Sequence, residues 1–259
     1  MKLTPLDLSQ FDSIGSATLA SDRLALLSIR EALCSGLETY QYLEVGSARG
    51  GSLQPHVIDR RCVKIFSIDP RPAEQPDERW KEPDRYTDNS TQTMLDLLSA
   101  IPNADISKIQ TFETSSWDLS TASIPASVNF AFVDGEHTNS AVVRDFEAVR
   151  RYLSPRSILA FHDCFIVPSA ILDIRRLLAR EGSRHQFLYF PESYMVAIAF
   201  DPDNLVPALL EYGWQKRLPL HRWQALRLKV RKHFPRSWEA VRHVKRFCTR
   251  SRSASRALF

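Results

Sequence analysis

Cysteine is scarce in this sequence, and its four occurrences lie far apart. Cys34, Cys62, Cys164 and Cys248 form no C-x-x-C pair. Their spacing argues against a zinc site of the C-x-x-C type and against a disulfide framework. We expect reduced thiols with structural roles.

Long apolar runs, repeats and low-complexity segments are also absent. No window approaches the roughly 20 apolar residues that span a bilayer, and the N-terminus lacks a basic region followed by an apolar stretch. We therefore expect a cytoplasmic protein. A chain of 259 residues is long enough for one α/β domain with a sizeable core and additional segments.

Charge divides the chain unevenly. Residues 216–259 contain 14 Lys and Arg against the single acid Glu239, whereas residues 1–215 contain 20 Lys and Arg against 29 acids. We predict a helical lead-in at residues 1–38, a catalytic domain at 39–215 and a basic, amphipathic helical tail at 216–259.

A buried strand followed by a glycine-rich turn is the most informative feature. The stretch 42–52 reads YLEVGSARGGS, in which Gly46 and Gly50 permit a tight turn that approaches a ligand closely. Glu44, at the end of the strand, suits an amino-bearing or cationic ligand better than a pyrophosphate, which it would repel. Ser47 and Ser52 lie in the same turn and are further candidates for ligand contact.

A second apolar run, residues 63–68, ends in Asp69. In mononucleotide-binding folds an acid at this position holds the ribose hydroxyls. The order strand, glycine turn, helix, strand, acid resembles the class I S-adenosylmethionine-dependent methyltransferases. A Rossmann dehydrogenase and a chance glycine-rich turn are the alternatives; the first is disfavoured because the G-x-G-x-x-G fingerprint is absent.

Two later strands each deliver an acid and a histidine. Residues 128–133 are followed by the sequence Asp-Gly-Glu-His at 134–137, and residues 157–161 are followed by His162 and Asp163. Carboxyl ends of strands in open α/β sheets are where ligands bind. The D-G-x-H and H-D pair resembles the methyltransferase branch that modifies hydroxyls on sugars and antibiotics, over about residues 40–200.

This resemblance implies a fold, a cofactor and a reaction. The fold is a Rossmann-like, doubly wound, mostly parallel sheet of seven strands with an antiparallel last pair. The reaction is O-methylation of a sugar, glycolipid or other small-molecule hydroxyl. S-adenosylmethionine would be held by the following residues, among which Trp117 could equally be a core side chain: Glu44, Gly46, Ser47, Gly50, Ser52, Asp69, Ser116, Trp117 and Asp134.

Histidine is the natural base for an alcohol acceptor, because its ordinary pKa lies near neutrality. We favour His137 over His162, with Asp134 beside them, and a structural role for either histidine is the alternative. The resemblance also implies a Mg²⁺ site at Asp134 and Asp163. However, His162 stands where relatives have a second carboxylate, and Mg²⁺ prefers oxygen ligands.

The remaining segments complete the expected order. A charged, proline-rich loop at 71–88 is either a lid or substrate wall of the site, or solvated surface. The final two strands are expected to run antiparallel. Helices are predicted at 20–35, 91–100 and 169–180, and further strands at 109–112, 187–190 and 194–200.

The basic tail leaves several functions open. A nucleic-acid methyltransferase could use it to bind phosphates, but neither the Asn/Asp-Pro-Pro-Tyr/Phe motif nor a Pro-Cys nucleophile occurs. Alternatively, a basic amphipathic tail favours an anionic membrane surface and would bring the enzyme to a membrane-bound glycolipid, or it is simply solvated. A third alternative is a binding module that keeps the fold without catalysis. The sequence does not indicate an oligomeric state.

Overall fold

A computed structural model describes residues 3–16, 18–79 and 82–216. They belong to one compact unit. The predicted tail beyond residue 216 and Trp80 of the charged loop lie outside the described residues. Within the described part, no helix is long and apolar enough to cross a membrane.

Seven strands form the main sheet, and most residues of its central strands are buried on both faces. The order across the sheet is β3-β2-β1-β4-β5-β7-β6. Strand β7 runs antiparallel to β5 and to β6, and the other pairs are parallel. The strands are β1 Tyr40–Val45, β2 Cys62–Ile68, β3 Ile109–Phe112, β4 Val128–Val133, β5 Leu153–Phe161, β6 Gln186–Tyr189 and β7 Val196–Ala199. The predicted seven-stranded, mostly parallel sheet with a reversed last strand is confirmed.

Helices flank the sheet on both sides. The α-helices are α1 Ala20–Cys34, α2 Gln54–Ile58, α3 Thr91–Ser99, α4 Asn139–Val149, α5 Pro168–Arg180 and α6 Pro202–Glu211, and single 3₁₀ turns cover Leu8–Phe11, Ile106–Lys108, Ser116–Asp118 and Arg150–Tyr152. Helices α1 and α6 pack together over one face, where the Trp214 indole donates a hydrogen bond of 2.8 Å to Ser28. Helices α4 and α5 pack against each other.

Strand β1 lies inside the sheet, and the order of the strands reverses beside it. Strand β1 pairs with β2 on one side and with β4 on the other. Such a reversal of strand order opens a crevice at the carboxyl ends of the strands. The segments that follow β1, β2, β4 and β5 therefore meet at one edge, as the sequence predicted.

The charged loop between β2 and α3 carries a short hairpin, Glu74–Gln75 with Asp84–Arg85. Glu78 accepts hydrogen bonds from the backbone and side-chain nitrogens of Asn139, at 2.9 and 2.7 Å. Asp77 forms a backbone bridge with His137. The part of this loop around Asp77 is thus a wall of the site rather than solvated surface.

Candidate functional site

The turn after β1 brings its backbone against the end of β4. Gly46 and Gly50 have φ values of 86° and 84°, which side chains rarely permit. A Cβ on Gly46 would also collide with the backbone of Asp134 and Gly135. Ser47 is buried in the turn, where its hydroxyl lies 2.7 Å from that of Ser67. Because Gly46 has no side chain, the glycine turn can lie directly against the backbone that follows β4.

Glu44 is fully buried and bonded by its own chain. The Tyr42 hydroxyl donates to one carboxylate oxygen at 2.6 Å, and the Ser52 hydroxyl donates to the other. Burial raises the pKa of Glu44 to about 8. Glu44 therefore ties β1 to the far end of the glycine turn. Its contact with a ligand amino group stays a prediction.

Asp69 joins the same turn to β2. One carboxylate oxygen accepts the backbone N–H of Ala48 and the other accepts that of Arg71, both at 2.8 Å. The Arg71 guanidinium lies 3.5 Å from the carboxylate. Asp69 is nearly buried, and its contact with a ribose stays a prediction.

A cleft opens beside the turn and reaches the segment after β3. Trp117, predicted to stack on a ligand ring, is half-buried, and the Arg144 guanidinium lies 4.0 Å from the centre of its ring. The residues lining the cleft are Val45, Gly46, Pro70, Pro72, Glu74, Gln75, Pro76, Ser115, Ser116, Trp117, Gly135, Glu136 and Asp145. Three of the predicted cofactor residues, Gly46, Ser116 and Trp117, thus line one cleft.

Asp145 also lines this cleft, and the sequence analysis gave it no role. The Ser116 hydroxyl donates to its carboxylate at 2.5 Å. Burial raises the pKa of Asp145 to about 7. Its neighbours on the buried face of α4 include Ala141, Val142 and Val149. An acid on an otherwise apolar helix face was the signal that could have identified it.

The histidines and acids after β4 and β5 converge as predicted. The His162 Nδ1 atom lies 3.1 Å from Asp134 Oδ1 and 3.7 Å from Asp163 Oδ2. The His137 Nε2 atom lies 3.6 Å from the same Asp134 oxygen and 3.3 Å from the same Asp163 oxygen. We call these four side chains the histidine–aspartate cluster. Two strand ends thus face one small space.

Two acids that the sequence analysis did not select hold the outer nitrogens of these histidines. Asp77 Oδ2 lies 2.9 Å from His137 Nδ1, and Asp22 Oδ2 lies 3.2 Å from His162 Nε2. Asp22 accepts backbone N–H bonds from Leu19 and Tyr194 as well. Both acids come from segments distant in the chain, and no local motif identifies them.

The cluster shifts the pKa values of its members. Burial alone would raise the pKa of Asp134, but the two imidazoliums hold it well below its usual range. Burial alone would lower the pKa of His137, but the negative charges of Asp134 and Asp163 and the hydrogen bond with Asp77 raise it to about 9. Burial would likewise lower the pKa of His162, but Asp134, Asp163 and Asp22 raise it. Both imidazoles of the cluster therefore hold a proton more strongly than an isolated histidine does.

The side chains at the predicted magnesium site supply both oxygen and nitrogen ligands. Asp134 and Asp163 do supply carboxylates, and with His162 they place ligand atoms within 4.8 Å of one another. His137 adds a second imidazole nitrogen to the same space. Mg²⁺ favours oxygen ligands in an octahedral shell, so two imidazoles do not fit its preference.

Comparisons with known proteins match this architecture. Residues 43–164 match the model of a family described as a methyltransferase domain, and this range includes the glycine turn and both histidine motifs. No curated protein sequence matches the chain significantly.

Solved structures share the fold. The O-methyltransferase NovP is similar with a TM-score of 0.50 and 12% identity, over 68% of this chain and 78% of NovP. A protein from Corynebacterium glutamicum has a TM-score of 0.52 and 12% identity, over 71% of this chain and 82% of that one. CalS11, a TDP-rhamnose 3'-O-methyltransferase of calicheamicin biosynthesis, has a TM-score of 0.47 and 16% identity, over 69% of this chain and 78% of CalS11.

Three observations point to the same family. They are the strand order of the sheet, the glycine turn with Glu44, and the match of residues 43–164 to a methyltransferase domain. Residues 43–164 therefore resemble a methyltransferase domain in sequence and lie in a Rossmann-like fold, and S-adenosylmethionine is the cofactor that this resemblance implies.

Proposed function

We propose that the protein transfers the methyl group of S-adenosylmethionine to a hydroxyl on a sugar or another small-molecule acceptor. The observation that supports this most strongly is the position of the histidine–aspartate cluster. Asp134 belongs to the cluster, and its backbone lies against Gly46 of the glycine turn. Acceptor chemistry and cofactor binding would therefore occur side by side.

The chemistry of the cluster favours an oxygen acceptor. An alcohol is a weak nucleophile until its proton is removed or its oxygen is polarised, whereas a neutral amine needs neither. Four ionisable side chains that converge within 3.1 to 3.7 Å suit that need. NovP, which shares the fold at 12% identity, is described as an O-methyltransferase.

His137 remains our first candidate for the base, and His162 the second. The pKa of His137 is raised to about 9 by its acids, so it must release its proton before it can accept one from a hydroxyl. A bound acceptor or cation in the cluster would favour that release. The role of Asp134 in this proposal is to orient the two imidazoles.

The basic tail is part of the proposal only as a targeting segment. It would bring a cytoplasmic enzyme to an anionic membrane surface, and residues 217–259 lie outside the described residues. Tail-deleted protein should lose binding to anionic vesicles. Equal binding by both forms would remove this part of the proposal.

The reaction is tested with methyl-labelled S-adenosylmethionine and separate acceptor pools. These pools contain nucleotide sugars, glycolipids or RNA. We expect label in a sugar-containing pool, with an O-methyl group identified by NMR of the product. Asp134→Ala should abolish transfer, while Asp173→Asn, on an exposed face of α5, should not change it. Label in RNA alone would favour the nucleic-acid alternative, and no cofactor binding would favour the non-catalytic one.

A further inference from the structure

Three aromatic side chains form a row of edge-to-face contacts that begins beside the histidine–aspartate cluster. The Tyr194 ring centre lies 6.3 Å from that of His162. The Phe165 ring centre lies 6.0 Å from that of Tyr194 and 5.9 Å from that of Tyr189. Edge-to-face pairs at such separations are a favourable arrangement of aromatic rings. We call Phe165, Tyr189 and Tyr194 the aromatic row.

The topology of the sheet places the aromatic row at the same edge as the cluster. Phe165 follows β5, Tyr189 is the last residue of β6, and Tyr194 precedes β7. Val196 of β7 pairs with Phe161, at the end of β5, and with Tyr189. Both β5 and β6 run antiparallel to β7 and therefore end at one edge of the sheet. The aromatic row thus continues the acceptor side of the site.

One buried carboxylate holds both the cluster and the nearest residue of the aromatic row. Asp22 Oδ1 accepts the backbone N–H of Tyr194 at 2.8 Å, while Asp22 Oδ2 lies 3.2 Å from His162 Nε2. The Tyr194 carbonyl also accepts the backbone N–H of Cys164 at 3.1 Å. These bonds fix the backbone of Tyr194 relative to His162 before a ligand binds, and such preorganisation lowers the cost of binding.

Tyr194 is exposed in spite of this firm attachment. It is 44% exposed, and no other aromatic residue that the structure describes is exposed to this degree. Single exposed apolar side chains are common on protein surfaces. This one differs because its backbone is fixed and its ring borders four converging ionisable side chains. A tyrosine ring offers a large contact area at a low cost in conformational entropy.

We propose that Tyr194, supported by Phe165 and Tyr189, is the surface on which the ring of a pyranose acceptor lies while one of its hydroxyls enters the histidine–aspartate cluster. A pyranose presents C–H groups on its faces, which pack on the electron-rich face of an aromatic ring. The hydroxyls at its rim then remain available to the polar groups of the cluster. An aromatic surface beside a few convergent polar groups is typical of small-molecule sites. The inference rests on the methyl transfer proposed above and defines the shape of its acceptor.

The test measures sugar contact separately from methyl transfer. Full-length protein with added S-adenosylhomocysteine is mixed with methyl β-D-glucopyranoside or, separately, with sorbitol, an open-chain polyol. Saturation-transfer NMR then identifies ligand protons that contact the protein. We expect the strongest signals from the axial ring protons of one pyranoside face, and at least fivefold weaker signals from sorbitol. Calorimetry with S-adenosylhomocysteine reports on the cofactor site independently, so that failure of the proposed methyl transfer is distinguished from failure of sugar contact.

Variants separate the Tyr194 ring from the rest of the surface. Tyr194→Ala should weaken the pyranoside signal about fivefold, which corresponds to roughly 1 kcal/mol. Tyr194→Phe keeps the ring and should retain most of the signal. Val63→Ala is the control, since Val63 is 48% exposed at the opposite, amino-terminal end of β2. Circular dichroism and unchanged binding of S-adenosylhomocysteine establish that each variant is folded.

Three results would overturn the proposal. The first is folded wild-type protein that gives no pyranoside signal. The second is a signal that Tyr194→Ala retains in full, which would place the sugar elsewhere. The third is sorbitol, or the base protons of uridine, giving a signal as strong as that of the pyranoside, because the aromatic row would then not select a sugar ring.

Discussion

The two halves of the site differ in how their polar groups are satisfied. In the half that we propose for the cofactor, Glu44 and Asp69 are buried, and their carboxylate oxygens accept hydrogen bonds from their own chain. In the half that we propose for the acceptor, two imidazole nitrogens lie 3.1 to 3.7 Å from two carboxylate oxygens, and the His137 Nε2 atom makes no hydrogen bond. The acids of the first half support the glycine turn. The second half leaves a buried nitrogen without a hydrogen bond. Acids at the carboxyl ends of strands in one sheet therefore differ in their partners. Glu44 and Asp69 bond a turn of their own chain, whereas Asp134 and Asp163 face histidines.

The largest effect should come from filling the space between the halves. Gly46→Ala combines a left-handed φ of 86° with a Cβ collision against the backbone of Asp134. We expect a loss of roughly 2 to 4 kcal/mol in the free energy of unfolding and at least 100-fold weaker cofactor binding. Urea unfolding and calorimetry measure these.

Gly182→Ala is the matched control for this collision. Gly182 also has a positive φ, 64°, but no atom lies within 4 Å of its would-be Cβ. We expect a loss of only about 1 kcal/mol and unchanged cofactor binding. Equal losses in both variants would show that the close approach of the two halves does not matter.

The second effect is a pH dependence of stability in the cofactor half. Burial raises the pKa of Glu44 to about 8 in the folded protein, from an unfolded value near 4.5. Between these values the folded state binds the extra proton, so the free energy of unfolding falls as pH rises from about 5 to 8. Glu44→Gln should remove this contribution, which amounts to about 1 kcal/mol per pH unit.

Urea unfolding at several pH values checks this. The quantity of interest is the difference between wild type and Glu44→Gln, because Asp145, with a pKa of about 7, adds a slope of the same sign to both. Parallel curves for the two proteins would show that Glu44 stays ionised in the fold.

A smaller effect should come from the hydrogen bond inside the cleft. Ser116→Ala removes the 2.5 Å bond to buried Asp145, and we expect a loss of about 1 to 2 kcal/mol. Ser107→Ala is the control, because Ser107 makes an equally short bond to Asp105 on an exposed surface, and we expect a smaller loss of stability there. Thermal unfolding distinguishes the two. Similar losses would mean that burial does not strengthen the cleft bond.

The smallest effect concerns Trp117. If this ring stacks on the cofactor, Trp117→Leu should weaken cofactor binding about fivefold, which corresponds to roughly 1 kcal/mol. Arg144→Gln removes the cation above the same ring and should cost about 0.5 kcal/mol of stability. Calorimetry with S-adenosylhomocysteine measures the first. Unchanged affinity in Trp117→Leu would assign the ring to packing alone.

Most of the sheet could be predicted from local pattern. Strands β3 and β4 begin and end at the predicted residues, 109–112 and 128–133, because apolar runs bounded by polar turns mark buried strands. Strand β5 begins at Leu153, four residues before the predicted start. Its pairing with β4 shifts register near Asn129, whose amide bonds Ser154 and Arg156. A hydrogen bond between residues so far apart in the chain cannot be recognised from the residues around either partner.

The sequence identified only those residues of the candidate site that directly follow a predicted strand. The glycine turn, the acids at strand ends and the two histidines come from motifs, and the structure brings them to one edge. Asp22 meets His162 across 140 positions, and Asp77 meets His137 across 60. Contacts at such separations depend on the packing of α1 and of the charged loop, which no periodicity indicates.

The most direct test of the account is calorimetric titration with S-adenosylmethionine and S-adenosylhomocysteine, with NAD for comparison. The account predicts micromolar binding of both sulfur ligands and none of NAD. It also predicts loss of binding in Asp69→Ala, which circular dichroism should show to be folded, and unchanged binding in Asp96→Ala on the exposed face of α3. A preference for NAD, or sulfur-ligand binding that Asp69→Ala retains in full, would contradict the assignment of the glycine turn as the cofactor half of the site.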